Sequence, residues 1–372
     1  MRENITMSNN QKPLVFRHRI IDPRTLGTKN DVCLVGDING DGRNDIVIAS
    51  KYGESNLVWY ENPTWERHII GTTHLEAGGI LADVTGNGKL DIVAGAPMDS
   101  GSPYISGYTN TGLYWWECPE DPTKPWKSYT ITSNFRKYHD QAAGDVDGDG
   151  EIEIVFASQG AKVLGYFDIP ADPRVSPWPD DHFHIIAENL SVEGVVIADI
   201  DGDGNNEIVA GPNIFKRKAD NVWARTELLS DFDPRTCITV GDLDGDGMLD
   251  IVFTEGESYP ARVVWLKNPS WESTLLGDDF FHPHSLELAD FDGNGLLDIF
   301  VGEMGLSGYP RSREVVFRNQ GGGKFRMEVV AHLATHGAKV ADMTGNGLPD
   351  IVGKPYDSGT DRVDLLINMG SE

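Results

Sequence analysis

The 372-residue chain carries 58 acidic against 31 basic side chains, a formal net charge of -27. Acidity on that scale excludes nucleic acid and anionic lipid surfaces as natural partners, because like charges repel. No apolar run approaches the roughly 20 residues that cross a bilayer as a helix, so membrane insertion is not expected.

The opening residues, MRENITMSNNQKP, are polar and lack the apolar stretch of a secretory signal. The compartment stays open between cytoplasm and cell exterior. LVFRHRIID (14–22) then reads as a strand, and the first of seven acidic turns follows at Asp37. Later copies begin at Asp83, Asp145, Asp199, Asp242, Asp290 and Asp342, all of the form D-x-[DNT]-G-[DN]-G-x-x-[DE]. Short β-branched runs flank each copy, such as GVVIA (194–198) before and DIVFTE (250–255) after. A third strand-like run follows in most copies (NLVWYENP, ARVVWLKNP) and then a fourth (WERHIIG, WESTLLG). Four strands repeated seven times, about 50 residues apart, predict an all-β, seven-bladed β-propeller of antiparallel blades. The last repeat stops after its third strand, at LLINMGSE, and residues 14–22 have the character of the missing fourth. The N-terminal strand is therefore expected to close the ring, making residues 1–372 one domain. Cys33, Cys118 and Cys237 are too few and too scattered for a disulfide framework and read as buried small hydrophobes.

The turns have the oxygen spacing that wraps a hard cation, with glycine at position six for the sharp bend. Calcium is the expected ion. Three turns offer four carboxylates each: Asp145, Asp147, Asp149 and Glu153; Asp199, Asp201, Asp203 and Glu207; Asp242, Asp244, Asp246 and Asp250. Two offer three, with an asparagine completing the set: Asp37, Asn39, Asp41 and Asp45; Asp290, Asp292, Asn294 and Asp298. The turns at Asp83 and Asp342 offer two and read equally well as hydrogen-bonded turns without metal. Together with VAGAP (93–97) and VAGP (209–212), these turns resemble FG-GAP or VCBS-type propeller repeats over nearly the whole chain. The resemblance implies the fold; known members serve as adhesion heads, lectins and carbohydrate lyases.

With metals on one face of the ring, a ligand site is expected on the other. The residue six places before each turn falls at the entry to an innermost strand: Asp31, Ala77, His139, Glu193, Thr236, His284 and His336. His74, Glu76, Arg136, Tyr138, Arg235 and His282 lie close by in sequence. Three readings stand: polar groups that satisfy backbone and water, an additional metal in the central channel held by His139, His284 and His336 with Glu193 or Asp31, or acid–base groups of a carbohydrate site. The second loop of each repeat favours the last, offering Lys51, Tyr52, Tyr104, Tyr108, Lys216, Arg217, Lys218, Glu257, Tyr259, Arg262, Glu303, Tyr309, Arg311, Arg313, Lys354 and Tyr356. Aromatic faces stack on sugars, and basic groups pair with uronate carboxylates.

The chain resembles propeller lyases that cleave uronate-containing polysaccharides, including rhamnose–glucuronate linkages. That resemblance implies an acidic glycan cut by β-elimination, and a monomer is expected. The needs of the reaction itself, a base, an acid and a cation at the carboxylate, point to His74 or His139 as base, Tyr138 as acid and Arg235 or Arg136 as carboxylate neutraliser, with His284 and His336 beside them. The alternative is a non-catalytic lectin-like or adhesive propeller, although the unequal second loops favour one unique site over repeated pockets.

Overall fold

Each acidic turn builds its own bend. Glycines at positions four and six have φ between 69° and 91° in all seven turns, a region L side chains rarely adopt. The first Asp then accepts the backbone N–H groups that the bend exposes; in the first turn Asp37 takes those of Gly40, Asp41 and Gly42. An apolar residue at position two (Ile38, Val84, Val146, Ile200, Leu243, Phe291 or Met343) is buried in every copy. Its N–H is capped by the position-nine carboxylate, from Asp45 in the first turn to Asp350 in the last. The ninth residue, expected as a metal ligand, thus clamps the turn to the strand that follows it.

The computed structural model describes residues 12–76, 78–96, 111–306, 312–356 and 361–371. Within them the strands form seven four-stranded antiparallel sheets. In six blades the chain runs outward in sequence order, as in Thr236–Gly241, Asp250–Glu255, Ala261–Lys267 and Glu272–Phe280 of blade five. In blade seven, Lys339–Ala341, Asp350–Gly353 and Val363–Ser371 are completed by Leu14–Asp22, antiparallel to Val363–Ser371. Among the described residues there is one short 3-10 turn, Asp180–His182, and no helix is long and apolar enough to cross a membrane. Cys33 and Cys118 are buried, Cys237 is half-buried, and all three are free thiols.

Facing blades share apolar cores. Between blades one and two, Val47 and Trp59 pack with Ile92 and Trp116; the same arrangement closes the ring between blades seven and one, where Val352 and Leu365 pack with Ile46 and Val58. Buried asparagines in or just after the third strands tie neighbouring blades. Asn62 Nδ2 reaches Met343 O (2.8 Å), Asn268 reaches Ile200 O (2.7 Å), Asn319 reaches Leu243 O (2.7 Å) and Asn368 reaches Phe291 O (2.9 Å). Asn319→Ala leaves the carbonyls of Leu243 and Leu297 without this donor, and is expected to cost about 3 kcal/mol in denaturant unfolding.

Candidate active site at the mouth of the central channel

Because every innermost strand ends at the residue before its turn, positions counted back the same distance from the turns fall level with one another and converge. Asp31, His139, Glu193, Thr236, His284 and His336 line one cavity of about 500 Å³ on the axis. Ala77 lies outside the described residues. The acidic turns lie at the far ends of the same strands, so the metal-type face and this mouth are opposite.

Glu193 is the hub. Its Oε1 is 3.5 Å from His139 Nε2, its Oε2 is 3.7 Å from His284 Nε2, and Gln159 Nε2 donates to Oε1. His139 Nδ1 bonds Asp140 Oδ2 at 2.7 Å, and the same oxygen accepts the Gly194 N–H. His284 Nε2 also faces Glu257 at 3.4 Å. His336 stacks on His284, with ring centres 4.3 Å apart and planes at 25°, and the Tyr356 ring lies 4.8 Å from it, tilted by 36°. Lys354 Nζ, fully buried, bonds Asn30 O (2.7 Å), His336 O (2.5 Å) and His336 Nδ1 (3.2 Å). Lys51 bridges Glu76 (3.1 Å) and Asp31 (3.5 Å).

These surroundings drive the imidazoles apart in protonation. Burial disfavours the charged form of all three. At His139 the carboxylates of Glu193 and Asp140 outweigh burial and push the ring up to about 9. At His284 burial is overcome by Cys237, Glu193 and Glu257, holding it well above 6.5. At His336 burial and the cations Lys354, His284 and His139 act together, holding it well below 6.5. Burial lowers Lys354 to about 8 and raises Asp31 despite Lys51. A neutral histidine is therefore stacked on a charged one.

Several expected residues lie elsewhere. Tyr138 is buried between blades two and three, where its hydroxyl accepts the Phe135 N–H at 2.9 Å; it does not reach the cluster and is withdrawn as an acid. Adjacent strand residues face opposite ways, so placing His139 in the channel turns Tyr138 into the core. His74 stands beside Lys51, with Nδ1 2.6 Å from the Lys51 carbonyl and its ring against Tyr52. Arg235 is at the rim, half-exposed and bidentate to Asp233 (3.0 and 2.7 Å). Arg136 is exposed, its carbonyl accepting from Ser158 and Gly160. Lys216, Arg217 and Lys218 are not rim residues: blade four's second turn is only Gly211–Pro212, so Asn213–Ala219 is already the third strand and carries them toward the acidic face. Arg262 and Arg313 are spent on Glu255 and Glu303. Tyr104, Tyr108, Tyr309 and Arg311 lie outside the described residues. Sequence reasoning missed Asp140 and Gln159, whose roles come from neighbouring blades rather than from the repeat.

Several places among the described residues bring possible metal ligands together. His139, Glu193 and His284, all buried, bring ligand atoms within 4.8 Å of one another; so do Asp145, Asp147 and Glu153 in blade three, and the first three acids of the turns at Asp199 and Asp242. The pairing of His139 Nδ1 with Asp140 leaves Nε2 to serve as ligand, the usual support for a metal-bound imidazole.

A family model described as an FG-GAP-like repeat matches residues 37–94, 145–210 and 242–301, each stretch running from one acidic turn through the next. No curated protein matches. Solved structures that do include the exotype rhamnogalacturonan lyase YesX (TM-score 0.55, 13% identity, 97% of this chain and 75% of that one). Others are the V. cholerae biofilm matrix protein Bap1 (0.52, 11%, 97% and 91%) and an ancestral GH74 enzyme (0.62, 10%, 94% and 49%, so this chain spans about half of it). Likeness at that identity shows the fold alone. Turns, blades and family model agree: the chain is a seven-bladed β-propeller built from FG-GAP-like repeats.

Proposed function

We propose that the chain is a polysaccharide lyase that breaks uronate-containing glycans by β-elimination at this single channel mouth. The observation that carries the reading is the stacked pair of His336 and His284, one neutral and one charged, at the edge of an open cavity. Opposed protonation states in adjacent groups are what an acid–base pair requires. His336 takes the C5 proton, and His284, as imidazolium, protonates the departing glycosidic oxygen. Glu193 and Glu257 keep His284 charged, Lys354 keeps His336 neutral, and Tyr52 and Tyr356 offer faces for sugar stacking. The YesX and GH74 neighbours, named as carbohydrate-active proteins, agree with a glycan substrate.

Elimination also needs positive charge at the uronate carboxylate. Arg235, at the rim, is one source. A second reading follows from the convergence of His139, Glu193 and His284: these three would hold a divalent transition metal, which would supply that charge when bound, and His284 would then be a ligand and no longer the acid.

The test is to mix the purified protein with glucuronate-containing polymers and follow ultraviolet absorbance of the unsaturated uronate product. Growth of that absorbance is expected. Binding without cleavage would make the chain a lectin-like propeller. Activity that survives a transition-metal chelator in calcium buffer assigns the charge to Arg235; activity that disappears assigns it to the trio.

A further inference from the structure

Most cations around the mouth are already committed to other groups. Lys51 bridges Glu76 and Asp31, and Lys354 is buried against the carbonyls of Asn30 and His336. Arg235 is paired with Asp233, Arg262 with Glu255 and Arg313 with Glu303. Lys29 differs. Among the described residues it has no carboxylate within ion-pair distance, and its Nζ stands 5.2 Å from the centre of the Tyr356 ring. That ring lies 4.8 Å from His336, the base of the elimination proposed above. We propose that Lys29 is a second protein cation for the uronate carboxylate, on the His336 side of the mouth, and that it makes the site selective for the free acid over its methyl ester. The assignment rests on the uronate reading of this site.

The backbone at Lys29 belongs to the ring, but the lysine does not. Gly27–Gly36, the innermost strand of blade one, shifts register between Asn30 and Val32, a bulge that leaves Asp31 unpaired and lining the channel. Asn30 pins the bulge. Its Oδ1 accepts the hydroxyls of Thr25 (3.0 Å) and Ser50 (2.7 Å), and its carbonyl accepts Lys354 Nζ. Lys29, just before it, is held at φ 56°. Lys137 and His282, at the same offset from the turns of blades three and six, are left-handed too (56° and 43°). Glycine takes this conformation without strain. A lysine adds strain there, which points to a role for its ammonium rather than for its backbone. The Tyr356 face holds that ammonium only weakly, so a carboxylate can draw it away without breaking an ion pair. Its departure bares the ring for a sugar to stack on.

The probes are methyl glucuronoside and its methyl ester, titrated into the full chain and followed by NMR. Neither has a glycosidic bond at C4 to break, so binding is read without turnover. The unaltered protein is expected to bind the free acid about tenfold or more tighter than the ester. Lys29→Gly should weaken the free acid by about that factor and leave the ester within about twofold. Its melting temperature should hold or rise, because glycine relieves the left-handed backbone. Lys29→Arg should keep the preference, and Lys29→Met should lose it, serving if the glycine variant does not fold. A variant without the lysine that keeps the preference, or that loses both ligands equally, would overturn the assignment. So would an unaltered protein that binds both alike or binds neither. The ultraviolet assay on the same samples tests elimination separately. Selective binding without unsaturated product removes the lyase reading and leaves Lys29 as a uronate contact; product formed by a Lys29→Gly protein that still prefers the acid removes Lys29 alone.

Discussion

His336→Ala is expected to slow uronate elimination by about 10²–10⁴-fold, the usual range for losing one positioned acid or base. The size follows from what holds this imidazole uncharged. Burial costs the charged form, and Lys354 Nζ at 3.2 Å with two imidazolium rings nearby adds repulsion. Its loss should appear in kcat more than in KM, since the proton moves only on the way to the transition state. The pH profile carries the same signature. The base must be unprotonated, and with its pKa held below 6.5 the acid limb of kcat/KM falls below that value. The acid must be protonated, and with the His284 pKa held above 6.5 the alkaline limb falls above it. A plateau around neutral pH is the expected result in the ultraviolet product assay. Tyr138→Phe is the control: it removes a hydroxyl that serves Phe135 in the core, so stability drops and kcat does not. Full activity in His336→Ala, or a rate collapse in Tyr138→Phe with the fold intact, would reverse the assignment.

The ring was legible because its signal is repeated and local. Two glycines per turn impose the backbone, and the short apolar runs on either side impose strands that end just before the turn and begin again at its ninth position. Counting back a fixed distance from each turn therefore located His139, Glu193, His284 and His336 at one mouth. The method fails where information is not carried along one strand. Tyr138 was lost to side-chain alternation one position away. Lys216 was assigned to the wrong face because Gly211 (φ 53°) closes the blade-four turn in two residues, a contraction that composition does not announce. Asp140 and Gln159 meet Glu193 and its neighbours from different strands and blades, so their partners exist only once the ring is closed. The cap that the position-nine carboxylate places on the second residue's N–H was not read from the sequence, where that carboxylate was expected as a metal ligand.

Glu314→Gln is expected to stabilise the protein at pH 8 and to change little near pH 4. Glu314 opens the third strand of blade six and is almost fully buried; among the described residues its Oε2 has no hydrogen-bond partner. Burial, with the nearby Asp364 adding to it and Arg362 opposing, pushes its carboxyl up to about 8 from 4.5. The sign follows from comparing the two states. Below 4.5 the carboxyl is protonated in both the folded and the unfolded chain, and pH has no leverage. Between 4.5 and 8 the unfolded chain releases a proton that the folded chain keeps, so stability falls as pH rises. Above 8 both states are ionised and the loss is constant. The full interval amounts to at most about 5 kcal/mol, from about 1.4 kcal/mol per pH unit. Glutamine has the same shape and no charge to bury, so the variant escapes the loss. Urea unfolding at several pH values measures it: the gap between the two proteins should open from pH 4.5 upward. A gap that stays flat across that range would mean that Glu314 is ionised in the folded protein and that a cationic partner offsets its burial.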